Sequence, residues 1–282
     1  MSITIDPPAR LPVDYLSLSS LKQFQMCAEK WRRKYIEHDP EPSSGKMVLG
    51  SAAGAALAQH YGRQIESGEG LSTEDLLDEF STEWDDRTGR EDVDYGKDTP
   101  GQLKDSGAGA LRIYRTQFAP AIVPICVERG FVLEWAGVYW KLTGYVDLED
   151  AEGLVRDYKM IDRRMSQGAA DADLQADVYL AARRAEGNPA AGFRFDTMIR
   201  TSQPKAEVVV TERSEHQLDR LTDRIFALAR EIEWRTTNDQ WMGAAPMTWF
   251  CGTCRYADCA WRLGGTRSKP DTTSGLSARS RA

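Results

Sequence analysis

The sequence predicts an α/β fold, and three features carry that reading. Residues 130–160 contain the segments GFVLEWAG, YWKLTGYVDLED and GLVRDYKM, which alternate or run apolar between glycines. That is the pattern of three successive strands, most simply an antiparallel meander. The stretch from Ser214 to about Arg235 carries Leu218, Leu221, Ile225, Leu228 and Ile232 at helical spacing, an amphipathic helix. Upstream of residue 120 the apolar residues recur at helical rather than strand spacing.

The elements follow in order. Residues 1–16, with Pro7, Pro8 and Pro12, read as a flexible tail. Ser17 or Ser19 caps a helix through LKQFQMCAEKWRRKYI, in which Leu21, Phe24, Trp31 and Tyr35 recur at helical spacing. Pro40, Pro42 and SSG mark a loop. A glycine- and alanine-rich helix, suited to close backbone packing, is expected over about 47–64, and another over 73–84. Residues 85–107 are polar and acidic without periodicity and read as a mobile loop. A helix over 107–118 precedes the strands. After them come a helix over about 170–186, strands at FRFDTMIR and AEVVVT, the Ser214 helix and a cysteine loop. One domain over 17–262 is expected, with a disordered polar tail over 263–282.

At 282 residues, with 41% hydrophobic and 28% charged residues, the chain can bury a sizeable core. No apolar run reaches the roughly 20 residues of a membrane helix, and no basic-then-apolar leader is read, so a cytoplasmic protein is expected. A net charge of −7 argues against a passive nucleic-acid coat. It leaves room for an enzyme with a local basic groove, for which Lys30, Arg32, Arg33, Lys34, Arg163 and Arg164 are candidates, with Trp31 and Tyr35 to stack bases. No GxxxxGK[ST] loop is present, so the chain carries no P-loop motor.

The chemistry concentrates in Arg156-Asp157-Tyr158-Lys159. Ten residues earlier stands Gly144-Tyr145-Val146-Asp147, at the end of the preceding expected strand. Antiparallel pairing can set Asp147 beside Asp157, and two converging carboxylates repel unless they share a cation such as Mg²⁺ or Mn²⁺. Strand alternation puts Lys159 on the face of Asp157. Those are the parts of phosphodiester hydrolysis: a metal to polarise the phosphate and activate water, and an ammonium to orient that water and offset developing charge. The carbonyl of Tyr158 is a further candidate ligand. His60 can join if its helix packs on the strand ends. Gln175 and Tyr179, four apart on a helix, share a face that can hold Lys159 or a phosphate.

The cysteines form a second constellation. Three of five, Cys251-x-x-Cys254-x-x-x-x-Cys259, lie close together, and one must come from elsewhere. This one-plus-three pattern suits a four-iron cubane better than the paired knuckles of structural zinc, which is the alternative. Cys27, on a polar helix with basic neighbours, is the choice for the fourth, while Cys126 in AIVPICV reads as a buried hydrophobe. Such ligation would join the N- and C-terminal segments, closing a loop whose chain entropy alone is worth about 5 kcal/mol.

Taken in order, SLSSLKQFQMCAEKWRRKY, LGSAAGAALAQHYG, GYVD, RDYK, LQADVYL and the cysteine loop resemble the RecB-like iron–sulfur branch of the PD-(D/E)xK nucleases. That branch includes the CRISPR-associated RecB-like exonucleases, the AddB nuclease domain and exonuclease V. The resemblance implies a restriction-endonuclease-like core, a central mixed sheet flanked by helices. It implies metal ligation by His60, Asp147 and Asp157, catalysis by Lys159, support from Gln175 and Tyr179, and a 4Fe–4S cluster on Cys27, Cys251, Cys254 and Cys259. The last cysteine spacing is shorter than in many relatives, and the 85–107 segment has no match among them. The expected function is Mg²⁺- or Mn²⁺-dependent exonucleolytic hydrolysis of single-stranded DNA, 5′ to 3′, in recombination, repair or CRISPR-type processing. A helicase or recombinase partner would be a separate chain. The alternatives are a non-cleaving nucleic-acid-binding or assembly subunit of a helicase–nuclease complex and a structure-specific endonuclease.

Overall fold

The computed structural model describes residues 10–90, 92–243, 251, 254–256 and 258–262. The tail expected over 263–282 lies outside them. At the other end, β1 (Tyr15–Ser17) begins within the stretch read as a tail. The single helix expected next is two, α1 (Leu18–Met26) and α2 (Ala28–Tyr35). The chain breaks at Cys27, which turns to extended geometry and caps both sides. Its N–H donates to Gln23 O of α1, and its Sγ accepts from Lys30 N of α2 at 3.4 Å. Sulfur is not among the usual cap residues, so spacing alone reads straight through it.

The two-residue strand β2 (Ser43–Ser44) leads into α3 (Gly45–Ser67), followed by α4 (Thr73–Arg90). The loop expected over 85–107 is mostly helix. Helix α4 runs on to Arg90, a short β3 (Val93–Asp94) pairs in parallel with β2, and α5 (Pro100–Gln117) starts early. A capping box between Thr99 and Gln102 with Pro100 at the first turn sets that start.

The meander is present as β4 (Pro124–Leu133), β5 (Lys141–Asp150) and β6 (Leu154–Ile161), each pair antiparallel. Strand β4 begins before the expected boundary, so Cys126 is a half-buried strand residue rather than a core hydrophobe. Helices α6 (Gln167–Ala172) and α7 (Leu174–Ala185) cross over to β7 (Gly192–Ile199), parallel to β6, and β8 (Lys205–Thr211) closes the far edge. The sheet is therefore mixed, in the order β4-β5-β6-β7-β8, with β1 lying parallel to the first residues of β5. Helix α8 (Glu215–Asn238) has the expected amphipathic face, with Leu218, Leu221, Ile225 and Ile232 buried.

Helices cover both faces. One core joins residues of α1, α2, α7 and α8 to the sheet, around Trp31, Phe193, Phe195 and Ile225. The other joins α3, α4 and α5, around Leu49, Leu57, Phe80 and Leu111. No helix among the described residues is long and apolar enough to cross a membrane.

Candidate active site

Strands β5 and β6 pair over only two residues each, Leu148 with Arg156 and Glu149 with Val155. One step further, the same register sets Asp147 against Asp157, where the ladder has ended. With no strand carbonyl opposite, Tyr158 N–H donates instead to Asp147 Oδ2 at 2.9 Å. Two carboxylates thus face each other where the sheet opens, as the strand reading expected.

Helix α7 lies over Asp157 and Lys159. Lys159 Nζ is 2.6 Å from Asp157 Oδ2 and donates to Gln175 Oε1 at 2.9 Å. The Gln175 amide nitrogen donates to Asp157 Oδ1 and to the Tyr179 hydroxyl, the latter at 3.1 Å. Asp173 ends α6 and caps α7, accepting from Gln175 N at 2.9 Å, so the α7 first turn and its amide are placed together. The expected pairing of Gln175 and Tyr179 on one face, against Lys159, is what the structure shows.

Burial pushes the Asp147 carboxyl well above the usual range, and the neighbouring Asp157 charge adds to it. Asp157 is also raised by burial, against the opposing pull of Lys159. Burial alone would lower the Lys159 ammonium, but Asp157 outweighs it and the net direction is up. Lys159 therefore carries its proton at neutral pH.

A cleft of about 650 Å³ opens beside Asp147 and Tyr158. Its opposite wall is the small-residue face of α3, with Gly50, Ser51, Gly54 and Ala55, and Glu128 of β4 also lines it. A Cβ built on Gly50 or Gly54 meets nothing within 4 Å. These glycines keep the cleft wide rather than packing the helix; the buried face of α3 is built instead by Val48, Leu49, Ala52, Ala53, Ala56 and Leu57.

Several expected site residues stand elsewhere. The structure does not bring His60 to the carboxylates: its ring packs against Gly70 and the Tyr61 ring, away from the residues of α3 that line the cleft. Buried and beside Arg115, its pKa is pulled down to about 4. Trp31 is fully buried, stacked on Trp241, and cannot receive a base. The basic stretch of α2 is engaged within the protein: Lys30 with Glu41, Arg32 with Glu29, and Arg33 with both oxygens of Asp258. Arg33 thereby ties α2 to the cysteine segment instead of lining a groove.

Sequence reasoning missed three residues near the carboxylates. Lys22 of α1 reaches Gln175, and no motif signals it. Asp173 announces itself as an acidic cap before an apolar run, a signal lost inside a longer helical pattern. Glu128 lies across from Asp147 by the register of its neighbours and has a left-handed backbone, φ 47°, which sequence does not disclose.

The four cysteines chosen from sequence, Cys27, Cys251, Cys254 and Cys259, line one small pocket, together with Tyr256 and Trp261. No three His, Cys, Asp or Glu side chains among the described residues converge as ligands of one metal ion, at either place.

The sequence profile of the PD-(D/E)XK nuclease superfamily matches residues 15–259. The chain belongs to the PD-(D/E)XK nuclease superfamily. This superfamily member also shares its fold with a crystal structure from Eubacterium rectale provisionally named an exonuclease, at a TM-score of 0.55 and 13% identity over 93% of this chain and 94% of that one. A crystal structure of SSO0001 aligns at 12% identity over 86% of this chain and 96% of that one, with a TM-score of 0.34. No curated protein matches the chain. Membership of the superfamily makes the chain a nuclease, and a nuclease takes nucleic acid as substrate.

Proposed function

We propose that this nuclease hydrolyses DNA in a reaction dependent on Mg²⁺ or Mn²⁺, acting as an exonuclease on single strands. The observation that carries the reading is the register that sets Asp147 against Asp157 with Lys159 on the second carboxylate. The donor set fits a hard dication: two buried carboxylates have one lysine between them, so negative charge is left over. Mg²⁺ is commonly held by one or two carboxylates, water and substrate phosphate rather than by an all-protein cage. Asp147, Asp157 and the Tyr158 carbonyl would hold the ion, which when bound polarises the phosphate and lowers the pKa of water.

The chain's own groups supply the rest. Lys159, kept protonated by Asp157, orients the attacking water and offsets charge on the phosphate. Gln175 fixes both Lys159 and Asp157 through one amide, and the Tyr179 hydroxyl takes its second hydrogen. The small-residue wall of α3 leaves room for a strand to lie close to the carboxylates.

The cysteine pocket is read as the seat of a structural 4Fe–4S cluster on Cys27, Cys251, Cys254 and Cys259, with zinc as the alternative. Four thiols from both ends of the chain on one pocket support it, as does Cys27 at the start of α2, where helix N–H groups favour a thiolate. The test of the function is digestion of end-labelled linear and of circular single-stranded DNA with each metal. Progressive shortening of linear DNA with circles intact is expected. Cleaved circles would move the reading to an endonuclease, and binding without cleavage to an assembly subunit.

A further inference from the structure

Lys22 sits on α1, on the same side of the sheet as α7 but distant in sequence from every catalytic group. Its ammonium lies 2.6 Å from Asp173 Oδ1 and donates to Gln175 Oε1 at 3.2 Å. Gln175 Oε1 therefore accepts from two ammoniums, Lys22 and Lys159, while its amide nitrogen donates to Asp157 and Tyr179. Both lone pairs and both hydrogens are used. Turning the amide over would set its N–H groups against two cations and its oxygen against a carboxylate. The orientation of Gln175 is thus fixed by charge, and Lys22 supplies half of that on the oxygen side. Lys22 acts a second time through Asp173, the cap of the helix on which Gln175 is the second residue.

We propose that Lys22 is a positioning residue for the nuclease reaction, holding Gln175 in the one orientation that aligns Asp157 and Lys159. This rests on the reading of the site given above. The Lys22–Asp173 pair is only partly buried, with side chains 34% and 18% exposed, so its loss should cost about 1 kcal/mol of stability and a purely structural role would leave only that trace. A positioning role leaves a large one, in turnover.

The test compares kcat and KM on single-stranded DNA, with thermal melts, for the parent, Lys22→Met, Lys22→Arg, Gln175→Ala and the Lys22→Met/Gln175→Ala pair. Groups that orient a reacting centre typically cost about 10–100-fold when removed. Lys22→Met should lower kcat by that much with KM and Tm nearly unchanged, and Lys22→Arg should recover part of it. The double variant should be no slower than Gln175→Ala alone, because Lys22 works through that amide. Multiplying losses in the double variant overturn the proposal. So does an unchanged kcat in Lys22→Met, or a raised KM with a shallower salt dependence, which would mark a direct phosphate contact. If the parent itself cleaves nothing while folded and cluster-loaded, the nuclease reading falls and Lys22 with it. A parent that cleaves beside an unaffected Lys22→Met overturns the Lys22 role alone.

Discussion

Asp147→Asn should stabilise the metal-free protein. The substitution keeps the shape and leaves an oxygen to accept from Tyr158 N–H, but removes one of two facing charges. Directly opposed strand residues lie about 5 Å apart, where two like charges repel by about 3 kcal/mol at an effective dielectric of about 20. Lys159 on Asp157 offsets part of this, leaving a gain of about 1–2 kcal/mol and a rise of a few degrees in Tm. The sign depends on pH. Because the Asp147 pKa is raised in the folded protein, ionising it costs stability as pH climbs above the ordinary carboxylate range. The advantage of Asn is therefore complete above the raised pKa and vanishes in acid, where Asp147 is protonated in both states. Metal reverses the order. A dication at 100 times its Kd adds about 2.7 kcal/mol to the parent and little to the variant. Melts with EDTA and with Mg²⁺, at pH 8 and pH 4, read all of this. Coincident melts with EDTA at pH 8, or equal gains from Mg²⁺, would refute the reasoning.

Other outcomes follow from the same geometry. His60→Gln should keep metal-dependent activity, because His60 is not at the carboxylates; a kinetic loss with raised metal demand would return it to the site. The buried imidazole must take a proton as pH falls from about 6.5 through about 4, so stability should drop by about 3 kcal/mol across that window in the parent and less in His60→Gln. Gly54→Ala should stabilise α3 by up to about 1 kcal/mol, since its Cβ meets no protein atom, whereas Gly54→Phe should fill the cleft and raise KM. Anaerobically purified protein should show a broad absorption band near about 400 nm that Cys27→Ser weakens, and a colourless protein with stoichiometric zinc would favour the alternative.

The strand pair was legible because alternation marks both strands and a short turn between GYVD and RDYK can set Asp147 beside Asp157, the register the structure has. Gln175 and Tyr179 were legible for the same kind of reason on a helix. His60 was not read correctly, though periodicity held a warning. It stands two residues, about 200° of rotation, beyond Ala58 on the cleft face of α3. The helix breaks at Cys27 and Asp173 escaped because each lies inside a continuous apolar period, which reports burial and not the dihedral of one residue. The acidic composition of 85–107 hid a capping box at Thr99 and Gln102. Composition also misled over α2: Glu29 on the same helix already pairs with Arg32, and the fold brings Asp258 to Arg33.

The central claim is that Asp147, Asp157 and Lys159 together hydrolyse phosphodiester bonds. End-labelled single-stranded DNA, incubated with Mg²⁺ or Mn²⁺ and with parent or Lys159→Ala protein, tests it directly. The account predicts shortening by the parent, none without metal, and a loss of at least about 100-fold in Lys159→Ala with DNA binding retained. Cleavage by Lys159→Ala at the parent rate, still dependent on metal, would contradict it.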